Sequence, residues 1–277
     1  MKIVTEGVDW QVNWGKHQPA RFRLQNVLDP HIDNQLQLPV VVVRDPWTWL
    51  QSMCRVRYSA HWFHVVERNP GDPYHCPNLV PNHVDWEWLT NTTKQSKAFV
   101  QTYYHKDVWK VDNVMERANF TMDSTQSVPL WTRYKSGNMH HDSLAHMWKD
   151  WYQDYFDNHD LSPTAEKKEG SYPRLMVRLE DLVFTPEPLL RSICACVNGT
   201  FGRADGSSDA LTLVATSAKG GDEGAHIHGH NRTTLADAMI QHIHVNRTKG
   251  MTEDDIVFAQ RVFGDSPVME AMGYRNP

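Results

Sequence analysis

The sequence predicts an α/β fold in which helices flank a parallel sheet, and three observations support this. Four β-branched residues run together at Val40–Val43 behind Pro39, as in a parallel strand covered on both faces, where neither side tolerates polar groups. Residues 173–182 followed by Pro186 and the apolar positions Leu189, Leu190, Ile193, Cys194 and Val197 read as strand, turn and helix. Leu144, Met147, Trp148, Trp151 and Tyr155 keep the three-and-four spacing of a buried helical stripe. A chain of 277 residues is long enough to bury a full core, so one domain over 1–277 is expected.

The remaining elements follow in order. Residues 8–14 alternate as a short strand, parallel to a second strand at 39–43. Pro46 suits the first position of a helix running to about residue 60. Residues 66–83, with several Pro, Asn and Asp, predict a long loop, 86–103 a helix and 128–134 another strand. Asp142 is placed to cap the helix that carries the aromatic stripe, which is expected to be core, not a ligand box. At 202–229 the composition turns to Gly, Ser, Asp and Ala, as in a mobile insertion. Residues 235–245 fit a helix or a strand, and 252–263 a helix whose first turn is acidic at Glu253, Asp254 and Asp255.

The chemistry begins at Arg44, which leaves the Val40–Val43 strand at its carboxyl end, where open α/β sheets place ligands. Two helical turns after Pro46, Ser52 can point back toward Arg44. A guanidinium fork and a hydroxyl beside a helix start make a phosphate or sulfate grip. The strand-Arg-Asp-Pro-helix-Ser pattern resembles the 3′-phosphate-binding segment of sulfotransferases that use 3′-phosphoadenosine 5′-phosphosulfate (PAPS). Trp10 to Pro19, with Lys16 and His17, looks like the strand end bearing the catalytic base of that family, although the family has one residue between its Lys and His. Leu179-Glu180-Asp181-Leu182 is similar to its Tyr-Glu-Asp-Leu segment, and Arg247-Thr248-Lys249-Gly250 to its late Arg-Lys-Gly loop. The likeness covers Val8 to about Val197 and, more weakly, a tail to Tyr274. Trp14-Gly15-Lys16-His17, Ser52-Met53-Cys54 and His75-Cys76-Pro77-Asn78-Leu79 look like local signatures of an algal, diatom-like subgroup.

The resemblance implies a P-loop NTPase-like sulfotransferase fold of three layers, with a parallel sheet between helices. It implies sulfuryl transfer from PAPS, the donor substrate, to a hydroxyl of a carbohydrate or similar acceptor, leaving 3′,5′-adenosine bisphosphate. His17 would be the base, since imidazole accepts a proton near neutral pH. Lys16 would bring charge to the bridging oxygen. Arg44 and Ser52 would hold the 3′-phosphate, and Arg247, Lys249 and Gly250 would reach it from the late loop. The Gly-rich loop that holds the phosphosulfate in this family does not precede Trp10; Gly7 and Gly15 stand alone, and Ser136-Gly137 after Lys135 lies far downstream in a polar stretch. The expectation is an N-terminally shortened chain of doubtful activity. The alternatives are a noncatalytic nucleotide- or glycan-binding relative and a partner-binding remnant.

Composition sets the surroundings. With 33 acidic and 28 basic residues, a net charge of -5 argues against general nucleic-acid binding, while local Arg and Lys still suit an anionic nucleotide. Eleven tryptophans are compatible with stacking on sugar rings, though each by itself is more simply core. Neither a signal peptide nor a membrane span is visible, so membrane association would need an anchor outside this chain. Five N-glycosylation sequons stand at Asn91, Asn119, Asn198, Asn231 and Asn246, where about two are expected by chance. They point to a Golgi lumenal or membrane-associated glycoprotein if a longer chain exists, and to the cytoplasm if Met1 is the true start. Cys194 and Cys196 lie two apart on a helix and diverge. Cys54 and Cys76 either pair in an oxidising lumen or stay as buried thiols. His226, His228 and His230 alternate as chelating histidines do, but no second cluster with ligand spacing accompanies them, and no metal site is read.

Overall fold

The computed structural model describes residues 12–15, 18–23, 25, 27–33, 37–55, 60–61, 77–80, 127, 130–134, 137–157, 174–199, 239–240 and 242–277. After a single 3₁₀ turn at Ala20–Phe22 come β1 (Val40–Val43), α1 (Pro46–Arg55), β2 (Ala60–His61), β3 (Leu130–Tyr134), β4 (Gly137–His141) and α2 (Leu144–Phe156). They are followed by β5 (Leu175–Arg178), α3 (Leu179–Phe184), α4 (Pro186–Cys196), α5 (Glu253–Gly264) and α6 (Pro267–Ala271). Contacts group the chain into two compact units, residues 1–45 with 155–246 and residues 46–154 with 247–277.

The first unit is built on a two-stranded parallel pair. β1 lies beside β5 in a register that sets Val40 opposite Leu175 and Val43 opposite Arg178. Val41 and Val43 are buried, whereas Val40 and Val42 are 43% and 39% exposed. The expectation of a strand covered on both faces is thereby corrected. β-branched side chains fit any pleated, half-buried surface, so a run of valines does not count the layers around it. β5 runs directly into α3, a short helix where a turn was expected, and α4 opens with Pro186, whose missing N–H is no loss at that position.

Residues 12–14 are also corrected, from strand to turn. The Gly15 N–H donates to the Val12 carbonyl at 2.9 Å, and Gly15 has φ 114°, a region that disfavours any side chain. Asn13 explains the choice. Its amide nitrogen Nδ2 donates to the carbonyls of Asp29 and Ile32 at 3.0 and 3.1 Å, its Oδ1 accepts from the Asp29 N–H at 2.7 Å, and its own N–H donates to Gln37. Such side-chain bonds to backbone compete with strand pairing. Trp14 is fully buried and donates Nε1–H to Tyr155 at 3.1 Å, whose hydroxyl donates in turn to the Gln18 carbonyl at 2.9 Å. Residues 8–11 lie outside the described residues.

The second unit joins an antiparallel sheet of order β2-β3-β4 to helices. Leu130, Thr132 and Tyr134 are buried at every second position of β3, the period of a strand with one covered face. Of the expected stripe on α2, Leu144, Met147 and Trp148 are buried here together with Tyr152, while Trp151 is half-buried. Trp47 on α1 and Trp148 both meet Phe263 of α5 edge-to-face, with centroids 5.4 and 5.5 Å apart. Helix α2 is capped by Ser143, not Asp142: the Ser143 carbonyl accepts from Met147 and its Oγ from the His146 N–H. Both residue types suit a cap, and Asp142 stands one residue too early, exposed. Helix α1 is described to Arg55, short of the expected end near residue 60, and Ala60 already belongs to β2.

The expected helix at 86–103, the insertion at 202–229 with His226, His228 and His230, and most of the loop at 66–83 lie outside the described residues. Residues 239–240 and 242–243 are helical, inside the stretch left open between helix and strand. Among the described residues no helix is long and apolar enough to cross a membrane.

Candidate functional site

The carboxyl edge of the β1–β5 pair places chemistry-bearing side chains together in the first unit. Arg178 ends β5 opposite Val43, and Arg44 follows Val43 directly. Strands in a sheet lie about 4.8 Å apart, so Arg44 and Arg178 leave the sheet from neighbouring backbone positions at one edge. Both residues are half-buried, which strengthens their field relative to free solution. The first turn of α3 reaches this edge. The Asp45 N–H donates to Glu180 Oε1 at 3.2 Å, tying the peptide after Arg44 to the first turn of α3. Arg178 Nε stands 3.9 Å from Asp181 Oδ2, a loose pair with both side chains partly exposed.

The residues singled out in the sequence fall as follows. Arg44 is at this edge. Ser52 is half-buried on α1, in the second unit, so the proposed guanidinium and hydroxyl are divided between the units. Arg247, Lys249 and Gly250 share one turn of the second unit, where Arg247 Nη2 donates to the Arg275 carbonyl at 2.5 Å, Lys249 is exposed and Gly250 has φ 80°. Lys16 and His17 lie outside the described residues. The residues flanking them are held: the Gln18 N–H donates to the Gly15 carbonyl at 3.2 Å. Lys135 and Ser136 lie outside as well, and Gly137 begins β4 of a hairpin, which is not the strand-loop-helix setting of a phosphate cradle.

Arg178 and Glu180 were legible in the sequence as members of a strand-turn-helix segment, yet nothing local marked their closeness to Arg44. That closeness comes from strand register across a separation of 135 residues, the distance in sequence between Asp45 and Glu180.

A second group of polar side chains lies in the second unit. The His141 ring, fully buried, meets Asp150 Oδ2 through Nδ1 at 2.6 Å, and its Nε2 has no partner among the described residues. Ser143 Oγ and His146 Nδ1 form a hydrogen bond of 2.9 Å, and Ser143 Oγ accepts from the His146 N–H. Burial lowers the His146 pKa below 6.5, outweighing the opposite pull of Asp142 and Asp150. Ser143 is completely buried at the start of α2, so this group builds the helix entrance and offers no nucleophile to a substrate. Among the described residues no three His, Cys, Asp or Glu side chains are grouped to hold a metal ion.

No protein-family model matches the chain, and no curated protein or solved structure matches it.

Proposed function

We propose that this protein binds the 3′-phosphate of PAPS at the carboxyl edge of the β1–β5 pair and transfers its sulfuryl group to a hydroxyl of a carbohydrate or similar acceptor. The observation that supports this is the juxtaposition of Arg44 and Arg178 at the ends of two parallel strands, with the Arg44 loop held by Glu180. Two guanidinium groups suit a phosphate dianion better than a single charge, because each offers a planar fork of donors. In this proposal β1 and β5 are neighbouring parallel strands of a P-loop NTPase-like sulfotransferase fold. PAPS supplies a sulfuryl group on a good leaving phosphate. His17 takes the proton of the attacking hydroxyl and Lys16 neutralises the charge gathering on the bridging oxygen, roles that rest on the sequence pattern alone. Golgi location is part of the proposal, supported by the sequons and by the disulfide-bonded state of Cys54.

Calorimetric titration with 3′,5′-adenosine bisphosphate and with adenosine 5′-phosphate tests the site. The bisphosphate is expected to bind at least tenfold more tightly, and Arg44→Ala and Arg178→Ala each to weaken it by about tenfold to a hundredfold with little effect on the monophosphate. Equal affinity for the two nucleotides in the unaltered protein rejects the proposal. Ser52→Ala in the same titration tests the hydroxyl that the sequence pairs with Arg44. Transfer of labelled sulfate that is lost in His17→Ala, with bisphosphate binding kept, supports the catalytic step; binding without transfer in the unaltered protein assigns the noncatalytic alternative.

A further inference from the structure

We propose that Asn198 carries an N-linked glycan. It stands first in the sequon Asn198-Gly199-Thr200, immediately after α4. That helix ends in a Schellman arrangement: the Gly199 N–H donates to the Cys194 carbonyl at 2.7 Å and the Asn198 N–H to the Ala195 carbonyl at 3.1 Å. Asn198 supplies the left-handed turn, with φ 53°, a conformation that asparagine tolerates better than most residues. Everything the cap requires of Asn198 is therefore backbone. Its carboxamide is exposed and has no hydrogen-bond partner among the described residues, so an oligosaccharide attached there displaces no contact of the fold.

The compartment fits the chemistry. Cys54 is disulfide-bonded, as in a chain matured under oxidising conditions, where glycan transfer also takes place. The donor is a lipid-linked oligosaccharyl diphosphate. The bond between the sugar's anomeric carbon and the diphosphate oxygen breaks, a bond from that carbon to the Asn198 amide nitrogen forms, one amide proton passes to a base, and the lipid diphosphate leaves. The proposal does not depend on sulfuryl transfer. Asn246 is also exposed, but its sequon continues through Arg247, which is half-buried and bonded to the Arg275 carbonyl, and it is the poorer acceptor.

The test uses the chain purified from the cells that make it. Digestion with an amidase that releases N-glycans, in ¹⁸O water, is expected to convert Asn198 to ¹⁸O-labelled aspartate, read by mass spectrometry of the peptide. A Thr200→Ala variant is expected to lose that label and one glycan's mass, while the left-handed asparagine and both cap bonds of α4 are kept. An Asn198 peptide recovered wholly unmodified from the unaltered chain overturns the proposal, as does equal labelling at position 198 in the Thr200→Ala variant.

Discussion

Asp255 is fully buried at the start of α5, and its two carboxyl oxygens divide four donors between them. Oδ2 accepts from the N–H and the hydroxyl of Thr252 at 3.0 and 2.9 Å, which closes a capping box with the Asp255 N–H on Thr252 Oγ1. Oδ1 accepts from the N–H groups of Leu79 and Val80 at 2.9 and 3.1 Å. One side chain thus starts a helix and satisfies a buried stretch of backbone far away in the chain. Asp255→Ala leaves two buried donors without partners, and the expected loss is about 3–5 kcal/mol in urea denaturation. Asp255→Asn should lose less, since its amide oxygen still accepts from one side. An acidic first turn was legible here because the helix dipole favours it; the reach to residues 79 and 80 was not, because it spans 176 residues and depends on packing.

At the scale of an element, the entrance to α2 is where pH should act. Burial chiefly favours neutral His146, whose Nδ1 is hydrogen-bonded to Ser143 Oγ and whose ring lies edge-on to Phe258 at 5.8 Å. The folded pKa lies below 6.5, so on acidification the unfolded chain binds the proton first. Stability is therefore fully present above pH 6.5 and lost as pH falls from there through the folded pKa. Melting midpoints measured across that range should drop on acidification, and less steeply in His146→Gln; parallel curves for the two proteins would rule out this source. Periodicity located α2, because that pattern lies within one element. The cap was misplaced by one residue because Asp142 and Ser143 are both good caps, and only the packed helix chooses between them. The Val40–Val43 strand was legible, but its partner β5 and its open face were not, since both depend on what packs from elsewhere in the chain.

For the whole molecule, the state of the cysteines is open to direct chemical test. Alkylation of the unfolded, unreduced protein is expected to label Cys194 and Cys196, which are free, and to leave Cys54 unlabelled until a reductant is added. Labelling of Cys54 without reductant would remove the support for an oxidising compartment. Spacing alone separated Cys194 from Cys196, because side chains two apart on a helix diverge; the state of Cys54 needed the fold, and Cys76 lies outside the described residues. By itself the sequence determined what is local: where helices α1, α2, α4 and α5 run, that residues 40–43 are strand, that an arginine leaves that strand, and where sequons stand. Tertiary structure alone decided that Val12 to Gly15 turn, that β5 ends in Arg178 at the same edge where Arg44 leaves β1, that Glu180 holds the peptide after Arg44, and which valines face solvent. The division has a physical cause: periodicity and capping are set by neighbours within a few residues, whereas register, burial and convergent charge are set by strand pairing and packing between segments more than a hundred residues apart.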